Sequence, residues 1–278
     1  MTWTFTEDMD TYLAAAGAFV AARPVTHTMM LTVADGLTRR GPHAFGDGVP
    51  CFGWWQEEDG TVAGAMVCTP PYPLLLGELS AEAVTALGAA LADEPLLERA
   101  GGFNARRADA RALAQAWGRE TKVAEEIRLY RLEELVPPDP APAGSARPAT
   151  AADLPLLSRW YEAFGIDTDQ PAPVSEAALR DRISYGGLLV WENEGVPVSM
   201  AAFTRPLHGT SRVAPVYTPP ALRGRGYAGA VTAAVSAAAR GAGADEVLLF
   251  TDLSNPTSNA LYLRLGYRPV EDRLYVIA

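Results

Sequence analysis

The C-terminal half of the chain changes hydrophobic period several times, and each change marks an element. Apolar residues at helical spacing predict helices over 152–164 and 175–184, and alternating runs predict strands over 188–192 and 198–205. A third strand covers 211–218. An alanine-rich helix follows over 227–240, with Val231 and Val235 one turn apart, and its small side chains let it lie close on a sheet. A strand over 246–252 leads to a helix over 256–265. For that helix Asn255 is a good N-cap, Pro256 suits the first helical position and Gly266 is the stop. A final strand spans 270–277. Strands with helices on both faces predict an α/β fold built on a mixed, mainly antiparallel twisted sheet.

The 278 residues exceed the usual single-core size of about 100 to 200, so two domains are expected. Residues 136–148 hold five prolines and no apolar period, as a semi-rigid linker does. They separate residues 1–135 from 149–278. The two sides resemble each other. Trp55-Gln-Glu-Glu-Asp-Gly60 parallels Trp191-Glu-Asn-Glu-Gly195, each ending an apolar strand in an acidic-Gly hairpin, with the glycines 135 positions apart. Glu126-Ile-Arg-Leu-Tyr-Arg-Leu132 likewise parallels Asp272-Arg-Leu-Tyr-Val-Ile277 as a last strand. Two such matches in register read as a tandem duplication, giving two tandem domains.

Residues 216–229 read Val-Tyr-Thr-Pro-Pro-Ala-Leu-Arg-Gly-Arg-Gly-Tyr-Ala-Gly, a strand end, a proline break and a glycine turn that opens a helix. Gly224 and Gly226 lack a Cβ, which permits a sharp turn and a close ligand. The first N–H groups of the helix from Tyr227 have no intrahelical partner and lie at its positive end, so the turn suits a phosphate. Gly224-x-Gly226-x-x-Gly229 fits a dinucleotide fingerprint literally. That fingerprint places its acid after the next strand, and here Asp245 and Glu246 precede it. A P-loop needs Gly-Lys-Ser/Thr, and Gly226 is followed by Tyr227-Ala228. Arg223-x-x-Gly226-x-Ala228 instead resembles the R/Q-x-x-G-x-G/A pyrophosphate loop of the GNAT superfamily of acyl-CoA-dependent N-acetyltransferases. Residues 255–267 are similar to that family's N-x-x-A-x-x-L-Y-x-x-x-G-F/Y segment, with Ser258 where alanine is usual and Tyr267 closing it. The resemblance covers about 149–278.

This resemblance implies the GNAT fold, acetyl-CoA as co-substrate and no metal. It implies cofactor contacts at Arg223, Gly224, Arg225, Gly226, Tyr227 and Ala228, with Asn255 and Asn259 beside them. It also places Tyr262 next to the sulfur, where it can protonate the departing thiolate. The acyl carbonyl is expected to meet a backbone N–H of Val216, Tyr217 or Thr218, with Pro219 and Pro220 keeping that strand splayed. Transfer to an amine needs a neutral amine, donors on the carbonyl and a proton for the thiolate. A phenol of pKa about 10 and a thiol of about 8.5 make that proton transfer not steeply uphill. No cysteine lies near either motif, so direct attack is expected rather than an acyl-enzyme. Many members carry a glutamate on the strand entering the loop, whereas residues 211–218 hold no carboxylate. Asp252 is the nearest candidate base, with Glu192, Glu194 and His208 behind it, each also readable as a turn residue. Asn255 also reads as a plain helix cap, and Tyr262 as a packing residue beside Leu261 and Leu265.

Residues 1–135 lack the glycine turn. Thr69-Pro-Pro-Tyr-Pro73 keeps the proline break, and with Gly118 matched to Gly266 the place of Tyr262 falls to Ala114. This half is expected to be a degenerate GNAT-like domain that shapes the acceptor pocket, forms an interface or only stabilises. A net charge of −10 without any Lys/Arg run argues against nucleic acid as partner. His27, His43 and His208 show no metal-ligand spacing. Cys51 and Cys68 read as buried thiols, which suits a reducing cytoplasm. The first residues lack the segments of a signal peptide and no apolar run is long enough to span a bilayer, so a cytoplasmic protein without a membrane partner is expected. A homodimer is left open. The expected activity is acetyl transfer from acetyl-CoA to a primary amine of a small molecule. Loops around 160–175, with Trp160, Tyr161, Phe164 and Asp167 to Asp169, would meet the acceptor. Two alternatives stand beside it: a non-catalytic acyl-CoA-binding or regulatory protein, and nicotinamide-dinucleotide binding through Gly224, Gly226 and Gly229.

Overall fold

The computed structural model describes residues 1–168 and 174–278. The chain opens with β1 (Thr2–Thr6), α1 (Met9–Ala21) and α2 (Thr28–Arg40), followed by β2 (Cys51–Gln56), β3 (Val62–Cys68) and β4 (Leu74–Leu76). Then come α3 (Ala81–Asp93), β5 (Gly102–Arg106), α4 (Arg107–Trp117) and β6 (Lys122–Leu132). The second series is β7 (Ser145–Pro148), α5 (Leu154–Asp167), α6 (Glu176–Ser184), β8 (Leu188–Asn193), β9 (Val196–Phe203) and β10 (Thr210–Tyr217). It closes with α7 (Tyr227–Gly241), β11 (Glu246–Asp252), α8 (Pro256–Arg264) and β12 (Tyr267–Ile277). The two series run in the same order of strands and helices, so the recurrence first visible in the Gly60 and Gly195 hairpins extends along both halves. The fold is mixed α/β. Most registered strand pairs are antiparallel, and the parallel ones are β4 with β5 and, at the matching place, β10 with β11.

The chain divides into two compact units. The first is Met1–Leu129, Asp252–Ser254 and Glu271–Ala278, and the second is Tyr130–Thr251 and Asn255–Val270. This differs from the seam at 136–148 in two respects. The later part of β12 belongs to the first unit, because it pairs antiparallel with β5, with Arg273 opposite Arg106 and Ile277 opposite Gly102. In addition, the end of the expected linker is a strand: Ala146 of β7 pairs with Trp191 of β8. An alternating pattern says that a segment is a strand but not which strand it joins.

In the first unit a core of Trp55, Met66, Leu87, Phe103, Leu113 and Trp117 takes in Leu274 and Val276 from β12. Each such side chain contributes about 1.5–3 kcal/mol of burial. Arg273, 2% exposed, is fully compensated there, donating to Asn104 Oδ1 at 2.7 Å, Leu76 O at 2.7 Å and Glu271 Oε1 at 2.8 Å. His27 is buried between α1 and the strand region, its Nδ1 3.2 Å from Val20 O and its Nε2 accepting from Glu78 N at 3.2 Å. An accepting Nε2 requires the neutral ring, and burial pulls its pKa down to about 4. Cys51 and Cys68 are buried free thiols at opposed positions of β2 and β3.

In the second unit the strand order runs β11-β10-β9-β8-β7. Val213, Val231, Val235, Tyr262 and Tyr267 form one core, which joins α7 and α8 to the sheet. The Ser236 and Tyr267 hydroxyls share a hydrogen bond of 2.7 Å within it. Leu157, Trp160, Leu179, Met200 and Tyr217 form a separate core that seats α5 and α6. Among the described residues no helix is long and apolar enough to cross a membrane.

Candidate active site

Strands β10 and β11 run side by side only briefly. Their registered pairs are Thr210 with Glu246, Ser211 with Val247 and Arg212 with Leu248. Beyond them the ladder stops, for reasons within β10. Pro215 has no N–H to give, and the register against β9 shifts between Val213 and Val216. On the β9 side pairing resumes at Val216 with Ala201 and Tyr217 with Met200. The ladder is therefore lost upstream of Pro219 and Pro220, the residues expected to hold it open. Tyr217 O accepts from Ser199 Oγ at 2.9 Å, and the same hydroxyl meets Thr218 Oγ1 at 2.8 Å, which fixes the strand end.

Residues Pro220–Leu222 form a single 3-10 turn, after which Gly224 (φ 76°) and Gly226 (φ 81°) take left-handed backbone. Gly226 directly precedes α7, places no side chain over its N-terminus, and is followed by a first turn without an acidic residue. A Cβ on Gly224 would meet nothing within 4 Å, whereas one on Gly226 would lie 3.6 Å from Pro142 Cβ, so the turn is open at Gly224 and flanked by a proline at Gly226. The corresponding helix of the first unit is closed. There Ser80 Oγ accepts from Ala83 N at 3.2 Å, and Glu82 lies in the first turn of α3. A phosphate at α3 would compete with the serine and face a carboxylate; at α7 it meets neither.

The flanking side chains differ in their commitments. Arg223 donates Nε to Thr218 O at 2.9 Å and pairs through Nη2 with Asp167 Oδ2 at 2.6 Å, tying the turn to β10 and α5. Arg225 is exposed and makes a long contact of 3.4 Å to Ala221 O. Tyr227 is buried, its hydroxyl accepting from Asn193 Nδ2 at 3.4 Å, and Ala228 is half-buried.

Helix α8 starts on Asn255, whose Oδ1 accepts from Ser258 N at 3.0 Å. Asn259 donates Nδ2 to Asn255 O at 2.7 Å and accepts from Tyr130 Oη at 2.9 Å. Both amides thus hold the start of the helix. A Cβ on Gly229 would lie 3.2 Å from Leu261 Cδ1, which brings α8 against the first turn of α7. Tyr262 is 9% exposed in the same core as Tyr227 and Val213, edge-on to Tyr267 at 6.0 Å. Its hydroxyl has no hydrogen-bond partner among the described residues. Burial pushes its pKa up to about 12, so the phenol holds its proton throughout the neutral range and is a weaker acid toward a thiolate than the ordinary value of about 10 implies.

The candidate bases are engaged locally. Asp252 accepts from Ser254 N at 2.7 Å and Ser254 Oγ at 2.5 Å, capping the turn after β11. Residues 252–254 group with the first unit, whereas Tyr262 groups with the second. Glu192 is bound by Arg147 at 2.7 Å, and the same guanidinium holds Asp153 at 2.8 Å. Glu194 (φ 52°) and Gly195 (φ 76°) make the β8–β9 hairpin turn, and His208 (φ 47°) sits in the turn closed by Leu207 and Thr210. Of the expected acceptor residues, Trp160 and Tyr161 are core, Phe164 packs against that core and Asp167 holds Arg223. Asp169 lies outside the described residues.

Three residues that bear on the site went unread in the sequence. Pro215 was a visible signal, a proline within a strand that should be central. Arg212 was another, a charge inside the apolar run 210–217. Arg182 offered none, since it sits on a polar helix 30 residues away.

Residues 154–267 match the family described as acetyltransferase (GNAT) family. Among solved structures, a GNAT-family acetyltransferase from Colwellia psychrerythraea aligns over 100% of both chains at 12% identity, with a TM-score of 0.64. A GCN5-related N-acetyltransferase from Sphaerobacter thermophilus aligns over 99% of this chain and 94% of its own at 18% identity, with a TM-score of 0.61. A glucosamine N-acetyltransferase region of a fungal multi-domain GH3 beta-N-acetylglucosaminidase aligns over 99% of this chain and 38% of its own, at 14% identity and a TM-score of 0.61. At these identities the structures establish a shared fold. Among curated proteins no match is found.

Proposed function

Residues 154–267 being a GNAT-family acetyltransferase domain, and the protein with them an acyltransferase, we propose that it moves the acetyl group of acetyl-CoA to a primary amine of a small molecule by direct attack. The observation that carries this reading is the β10 edge, unpaired beyond Arg212, next to a helix start that no side chain caps. A pantetheine arm needs amide partners and a pyrophosphate needs N–H donors, and the two lie in sequence along 213–228. Gly224 to Ala228 take the pyrophosphate, flanked by Arg223 and Arg225, while Val216 to Thr218 offer backbone to the thioester carbonyl.

The neutral amine nitrogen attacks the thioester carbon, and the C–S bond breaks as the tetrahedral intermediate collapses. Tyr262 Oη gives its proton to the leaving sulfur and is reprotonated through water by the proton the amine sheds. With the candidate carboxylates held by Ser254 and Arg147, water serves as base. Free, buried Cys51 and Cys68 are in keeping with a cytoplasmic setting.

The test is thermal unfolding with acetyl-CoA, CoA and NAD at matched concentration, where a ligand at 100 times its Kd adds about 2.7 kcal/mol. Stabilisation by both CoA species, lost in Gly226→Trp, is the expected result. Stabilisation by NAD alone, or by none of the three, overturns the reading. Thiol release over a panel of amines, glucosamine included, then separates catalysis from its rival. The rival is a non-catalytic acyl-CoA sensor, favoured by the absence of a carboxylate from β10. Tight CoA binding with no turnover on any amine would establish it.

A further inference from the structure

Arg212 stands in the middle of a sheet, where a charge is costly unless paired. It is half-buried, yet its Nη1 is closed to solvent and has no hydrogen-bond partner. Burial and the like charge of Arg182 pull its pKa down to about 10, which still leaves it cationic at neutral pH. Arg182, in the last turn of α6, donates Nη1 to Ala214 O and lies 5.9 Å from the ring centre of Tyr161. Tyr161 Oη is itself buried, with the Arg182 guanidinium as its neighbouring donor and no acceptor for its own proton among the described residues. Asp181, the adjacent acid, is taken by Arg205 at 2.8 Å. Neither Arg182 nor Arg212 has an ion-pair partner among the described residues.

Elsewhere the chain compensates such groups: Arg273 has Glu271 and Asn104, and Arg147 has Asp153 and Glu192. Two neighbouring guanidinium groups with a phenol between them, and no anion paired to them among the described residues, are costly unless something else supplies the charge. Their place in the fold indicates what does. Arg212 is the last residue of β10 paired to β11, and Ala214, which holds Arg182, lies on the unpaired stretch. At a strand rise of about 3.3 Å, Ala214 is only about 7 Å from Val216, where acyl transfer is proposed.

We propose that Arg182 and Arg212, with the Tyr161 hydroxyl, bind an anionic group on the acceptor, so that the preferred amines carry a carboxylate or a phosphate. This rests on the acyl-transfer reading. The net charge of −10 repels such acceptors at long range, so recognition is made by these contacts rather than by steering.

The experiment offers acceptors in matched pairs: amino acids with their carboxamides, and glucosamine 6-phosphate with glucosamine. In at least one pair the anionic member is expected to be used with kcat/KM about 100-fold higher, because its absence leaves buried donors unpaired. Which pair shows the preference names the anion. Arg212→Met and Arg182→Gln are each expected to erase it through KM, with stabilisation by acetyl-CoA unchanged in Arg212→Met, whose side chain holds no part of 213–228. Equal use of both members in every pair overturns the proposal, as does a preference that survives both substitutions. A second readout does not depend on turnover. At fixed ionic strength, inorganic phosphate should raise the unfolding midpoint of the parent more than that of either variant, and Arg212→Met should be the more stable protein without phosphate. Identical responses in all three proteins overturn the anion site even if no amine is acetylated, whereas loss of turnover alone counts against the acyl-transfer reading.

Discussion

Replacing Tyr262 by Phe removes one oxygen from a site that the structure describes closely. That oxygen bonds to none of the described residues, and the edge-on contact with Tyr267 at 6.0 Å needs only the ring. Stability should therefore change by no more than about 1 kcal/mol, because no partner is left unsatisfied. Turnover should respond very differently. A positioned general acid contributes about 10²- to 10⁴-fold, or about 3–5 kcal/mol of barrier, and the loss should fall on kcat with CoA affinity intact. The pH profile adds an independent check. With the phenol at about 12 the acid form persists, so the parent's activity should show no alkaline limb near pH 10. The assay is steady-state thiol release from pH 7 to 10.5, beside thermal unfolding with CoA. A variant with parental kcat refutes the role of Tyr262 as acid. A limb near pH 10 that vanishes in the variant refutes the burial argument.

Two further outcomes test the packing. His27 has a folded pKa of about 4 against about 6.5 unfolded, so its contribution is complete above pH 6.5 and is lost as pH falls toward 4. About 3 kcal/mol of stability should disappear in that window, and denaturant midpoints that stay flat across it would refute the buried neutral ring. Ser236→Ala leaves the Tyr267 hydroxyl, 2.7 Å from Ser236 Oγ and fully buried, without its partner. Urea unfolding should show a loss of about 1–3 kcal/mol, and an unchanged midpoint would mean that the pair contributes nothing.

Local structure was legible because local physics decides it. The start of α7 at Tyr227 follows from two glycines, and the start of α8 at Pro256 from an asparagine before a proline. The closed first turn of α3 carries local signals of the same kind in Ser80 and Glu82, which went unread in the sequence. Long-range pairing was not legible in the same way. Nothing in the alternation of 271–277 distinguishes β5 as its partner, and nothing in Ser145-Ala-Arg-Pro148 distinguishes a strand from the end of a linker. Arg182 and Arg212 were hidden for a related reason. Their meaning lies in the absence, among the described residues, of a carboxylate paired to them, and that becomes visible only when the elements are folded together.

The membership of β12 in the first unit also reverses the order in which the two units can finish during synthesis. The second unit is complete in sequence once Val270 is made, while the first still lacks Glu271–Ala278. Roughly 140 residues separate Leu129 from Glu271, and at about 5–20 residues per second the ribosome needs roughly 7–30 s to cross them. Throughout that interval β5 has an unpaired edge, in a strand whose Phe103 and Ala105 belong to the core. The half translated first is thus the half that must wait, and its nascent form is the one that a chaperone would have most reason to hold.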